Sequence, residues 1–90
     1  MSRVFASVFY GRSIPTGSLD KSIDYLTTAV ALNPTVIASR LELARSYADA
    51  ENWPSARNSL LSVRELPVQF SDDARHKKQA EQLLEEIKDR

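Results

Sequence analysis

The sequence predicts an all-α domain, a short antiparallel solenoid of about five helices. Three observations lead there. A 34-residue segment occurs twice, apolar residues recur at spacings of three and four, and no stretch alternates with the period of two that a sheet requires. Shifting the chain by 34 residues superposes Leu19 on Trp53, Ser22 on Ala56, Leu26 on Leu60, Ala29 on Val63 and Leu32 on Leu66, so large and small positions coincide.

The elements follow in order. Val4, Phe5, Val8, Phe9 and Tyr10 read as a short helix ended by Gly11, with Ile14 to Gly17 as a loop. The next helix carries Ile23, Leu26, Ala29 and Val30 on one stripe; Ser18 is its expected cap and Asn33-Pro34 its stop, because the residue before a proline is driven out of helical geometry. Val36 to Ala50 places Ile37, Leu41, Ala44, Tyr47 and Ala48 at helical spacing among Arg40, Glu42, Arg45 and Asp49. The second copy begins at Asn52, a capping residue, with Pro54 in the first turn, where its missing N–H is not needed; Pro67 ends it. Ser71-Asp72-Asp73 opens the last helix, whose stripe is Ala80, Leu83, Leu84 and Ile87, with Lys88 and Arg90 near its negative dipole end.

Composition narrows the function classes. Ninety residues with 42% hydrophobic and 27% charged side chains suit one small globular domain, which buries only about 60–65% of the surface its unfolded chain exposes. Twelve basic residues balance twelve acidic ones without segregation: five to three in residues 1–45, seven to nine in 46–90. That pattern argues against nucleic acid, which draws on clustered cations. With no cysteine there is neither disulfide nor thiolate metal site. The apolar run Val4 to Tyr10, broken by Ser7, falls far short of the roughly 20 residues of a membrane span, so no membrane insertion is expected. Compartment is left open, with the cytoplasm the default.

No nucleophile with a base, phosphate-cradling glycine loop or paired-carboxylate cleft is present, so the chain is expected not to be an enzyme and to need no cofactor. His76 stands among Asp72, Asp73 and Lys77, too few groups for a metal site, and no metal is expected. Trp53 has two readings, an exposed anchor of an interface or, from its match to Leu19, a packing residue.

The central unit resembles a tetratricopeptide repeat, a 34-residue antiparallel helix pair. Leu43-Ala44, Tyr47, Ala56, Leu60 and Val63 stand where that family has leucine, a small residue, tyrosine, alanine, an aromatic and alanine. Arg40 replaces a usual tryptophan, Ser22 a usual alanine, and Pro67 comes one residue early. The resemblance covers residues 17–67. It implies one domain over 1–90: 1–16 an irregular helix and loop, 17–34 the second helix of a first repeat, 35–67 the central repeat, 71–90 a capping helix. The short apolar helix with Phe-Tyr-Gly before the repeat also resembles the repeat region of the regulator-of-microtubule-dynamics family and its bacterial relatives.

The tetratricopeptide resemblance implies a scaffold for a protein or peptide partner, bound on a concave face lined here by Ala38, Leu41, Arg45, Ala48 and Asp49. Arg45 then has two readings: a fork for a partner's carboxylate, or a surface arginine pairing with Glu42 or Asp49 along its own helix. Leu41 likewise reads as ligand contact or as packing. Leu41, Glu42 and Arg45 do not reproduce the lysine and asparagine clamp that chaperone-binding members use. Two alternatives stand beside the groove. Because short stacks leave faces unburied, the chain is also compatible with a homodimer sealed by Phe5, Val8, Phe9 and Tyr10, aromatics that read equally as cover for the first repeat's own core, or with the tail of a larger multidomain protein.

Overall fold

The computed structural model describes residues 16–90, with side chains from Leu19 onward, and contains four helices: α1 (Thr16–Leu32), α2 (Ile37–Asp49), α3 (Trp53–Arg64) and α4 (Asp73–Ile87). No strand occurs among the described residues. The fold is all-α as the periodicity predicts; the expected fifth helix, Val4 to Tyr10, falls outside the described residues. Ser18 lies inside α1 rather than at its cap, since the helix already runs from Thr16.

Each stop has a local cause. Asn33 N–H closes the last turn of α1 on Ala29 O at 2.9 Å, and Pro34 prevents another. The α2–α3 turn is a Schellman motif: Glu51 N–H donates to Ala48 O and Asn52 N–H to Tyr47 O, both at 2.9 Å. It places Glu51 at φ 60, a left-handed geometry that favours glycine. Asn52 then caps α3, its side chain accepting from Ser55 N–H at 3.4 Å, with Pro54 in the first turn.

Short connections make neighbouring helices antiparallel, and side-chain bonds confirm the pairing. Arg40, at the start of α2, donates from Nη1 to Ser62 Oγ near the end of α3 (2.9 Å) and from Nε to Pro34 O (2.7 Å). An arginine thus ties the α1–α2 loop to α3 at the position where the repeat pattern usually has tryptophan. Between α3 and α4 the cations exchange caps. Lys77 Nζ donates to Val63 O and Arg64 O, while Arg57 Nη2 donates to Ile87 O and Arg90 O, so each helix supplies a donor to the carbonyls left open at the other's C-terminus. Arg64 and Glu81 add a two-pronged contact at 2.6 and 2.8 Å. Arg90 lies over the Trp53 ring at 5.2 Å.

The core is built from α2, α3 and α4: Ile37, Leu41, Ala44, Ala48, Ala56, Leu60, Val63, Ala80, Leu83 and Ile87 are buried together, with Tyr47, Trp53, Leu66 and Leu84 against them. Each fully buried aliphatic side chain contributes about 1.5–3 kcal/mol. The small residues Ala44 and Ala56 lie at 1% and 0% exposure within this cluster. α1 packs on α2, yet Leu19 is its only buried side chain among those described. No helix among the described residues is long and apolar enough to cross a membrane.

Candidate functional site

The burial pattern divides the five α2 residues expected to line a groove. Leu41 and Ala48 are 1% exposed and belong to the core, so neither offers surface to a ligand in this structure. α4 packs directly on α2 and the two residues lie in the cluster that joins them, so a face open in a lone helix pair is closed here. Ala38, Arg45 and Asp49 remain half-buried, and Glu42, absent from the expected set, stands between them. Positions 38, 42, 45 and 49 follow at spacings of four, three and four, one continuous strip along α2.

Arg45 is the centre of this strip. Its Nη1 donates to Glu42 Oε2 at 2.9 Å, an i,i+3 pair whose side chains keep 22% and 44% exposure. Its Nε is buried without a hydrogen-bond acceptor. The guanidinium is therefore held in one orientation by a neighbour while its Nε is buried without a hydrogen-bond partner. The pair with Glu42 is weak, since such helix-surface pairs are worth about 0.3–0.5 kcal/mol.

A second polar flank lies on α4, where His76, Gln79 and Glu86 surround the buried Leu83 at spacings of three and four. Burial pushes the Glu86 carboxyl above its ordinary value, and its Oε1 is buried without a hydrogen-bond partner, as is His76 Nδ1. Among the described residues no group of three or more His, Cys, Asp or Glu is placed to hold a metal ion. A shallow cavity of about 290 Å³ is lined by Val63, Arg64, Lys77, Lys78 and Glu81. Arg64 and Lys77 are already engaged there by Glu81 and by main-chain carbonyls.

One feature escaped the sequence pattern. Asp73 is 3% exposed, and its carboxylate accepts from Gln69 N–H at 2.7 Å and Phe70 N–H at 2.9 Å, hydrogen bonds that hold its pKa below the ordinary value. Read in sequence only as part of the opening of the last helix, it is the tie that fixes the α3–α4 connection, while Val68 and Phe70 stand in solvent at 57% and 59% exposure. The available signal was two apolar residues beside Pro67 that fit no helical stripe. Phe5, Val8, Phe9 and Tyr10 lie outside the described residues.

Against known proteins, residues 1–88 match the family model described as regulator of microtubule dynamics protein 1-3. No curated protein and no solved structure matches the chain.

Proposed function

The chain belongs to the family of regulator of microtubule dynamics protein 1-3, and from that premise we propose that it is a protein-interaction module of tetratricopeptide-like build rather than an enzyme. Its α2 strip receives an acidic segment or a terminal carboxylate of a partner protein. The observation that carries the reading is Arg45, oriented by Glu42 and with its side chain still 22% exposed, on a strip backed by the core of Leu41, Ala44 and Ala48. A guanidinium so placed matches a carboxylate in shape and charge. A helix anchored by its opposite face keeps that geometry fixed before binding, which lowers the ordering cost of association. The chain's zero net charge suits this local recognition better than long-range steering.

The test is selection from a displayed peptide library against the full chain and against Arg45→Ala. Peptides enriched in Asp, Glu or a free C-terminus, bound about tenfold more weakly by Arg45→Ala, equivalent to ~1.4 kcal/mol, are the expected result. Circular dichroism should show both proteins equally folded. Selected peptides whose binding ignores Arg45, Glu42 and Asp49 alike would sink the proposal. Cosedimentation with polymerised tubulin, repeated with Arg45→Ala, asks whether the same strip serves the process in the family's name.

A further inference from the structure

The fold gathers charge that the sequence keeps dispersed. Twelve cations balance twelve acidic residues over the whole chain, yet the cavity of about 290 Å³ between α3 and α4 is lined by Arg64, Lys77 and Lys78 against Glu81 alone. Arg64 is the last residue of α3 and the lysines lie in the second turn of α4, so packing the two helices brings the cations together. Two of these cations are already fixed. Lys77 Nζ donates to Val63 O at 2.9 Å and to Arg64 O at 3.1 Å, which leaves the ammonium one further N–H. Arg64 Nε and Nη2 meet the two Glu81 oxygens at 2.6 and 2.8 Å, which occupies the carboxylate and leaves Nη1 with its donors. Lys78 is exposed and forms no hydrogen bond or ion pair among the described residues. Val63, 1% exposed, is the apolar member of the lining.

We propose that this cavity is a phosphate-recognition site that takes a phosphorylated serine or threonine of a partner protein. A phosphorylated side chain brings about −1.5 to −2 charges and three acceptor oxygens, and the lining offers a positive surplus with donors on three cations. A carboxylate, with one charge and two oxygens in a plane, answers only part of that surplus. The cavity is shallow, which suits a group carried on a chain that passes over the surface, and Val63 with the lysine stems takes the aliphatic part of the side chain. None of the lining residues belongs to α2, so the site is separate from the Arg45 strip.

The test is a titration of the full chain, followed by amide chemical shifts, with a short neutral peptide bearing one phosphoserine and with the same peptide bearing glutamate instead. Shifts are expected at residues 63–64 and 77–81, with the glutamate peptide bound about tenfold more weakly. Lys78→Gln, at an exposed position, is expected to weaken phosphopeptide binding about fivefold with the melting temperature unchanged. Lys78→Arg should retain the affinity. Absence of shifts at these residues, equal binding of the two peptides, or binding that Lys78→Gln leaves intact overturns the proposal. Vesicles of neutral lipid doped with a phosphomonoester lipid form the third arm: binding of these through Lys78, without binding of the phosphopeptide, assigns the site to a membrane surface and overturns it as well.

Discussion

α1 and α3 carry the same pattern of large and small positions at a shift of 34 residues, and the structure treats them differently. In α3, Ala56, Leu60 and Val63 lie at 0–1% exposure between α2 and α4. In α1, the equivalent Ser22, Leu26 and Ala29 are half-buried and Leu32 is 74% exposed, with α2 its main neighbour among the described residues. The same periodic pattern thus yields a core helix in one place and an edge helix in the other. An amphipathic stripe says which side of a helix seeks cover; the number of neighbours decides how much cover it gets. The serine at position 22, where the buried copy has alanine, fits that lower demand.

The contrast is sharpest in truncation. Leu60→Ala is expected to lower unfolding free energy by about 2–5 kcal/mol, and Leu26→Ala by distinctly less, because the edge site has fewer atoms to lose and solvent can fill the gap. Urea melts of the two variants check this, and equal losses would break the comparison. Next comes overpacking: Ala56→Leu inserts a branched side chain into a fully closed site and should cost about 1–3 kcal/mol. The Schellman turn that lays α2 on α3 offers a gain instead. Replacing Glu51, at φ 60, by glycine relieves a left-handed residue and should stabilise the fold by about 0.5–1 kcal/mol.

Acid titration separates the α3–α4 side from the α1 edge further. Asp73 has a folded pKa below its reference of 3.8, so its contribution is complete above that value and is lost as pH falls through the folded pKa. Melting temperatures measured from pH 5 to 2 should therefore fall less for Asp73→Asn than for the parent. Glu86 runs the other way. Its folded pKa lies above 4.5, so its contribution is present below that pH and is lost as pH rises through the folded value. Glu86→Gln should flatten that decline. The smallest effect is expected from Leu32→Ser, within about 0.5 kcal/mol, since the side chain already stands in solvent.

The four described helices, the Asn33-Pro34 stop and the Asn52 cap were legible in the sequence, because each depends on residues within a turn or two. The strip on α2 was legible only in part. Arg45 and Asp49 stood out by type and spacing, while Leu41 and Ala48 carried the same spacing and proved to be core. Glu42, considered only as a partner for Arg45, is the residue that orients it.

By itself, then, the sequence determined that this chain is helical, where its helices turn, and which stripes are apolar, since these follow from backbone preferences and period 3.6. Tertiary structure alone decided that α4 packs on α2 and closes over Leu41 and Ala48, that Arg40 bridges Pro34 to Ser62, and that Asp73 holds the Gln69–Phe70 main chain. The physical reason is that burial and hydrogen-bond partnership belong to pairs of groups distant in sequence. Local periodicity orients one member of each pair and says nothing about the other.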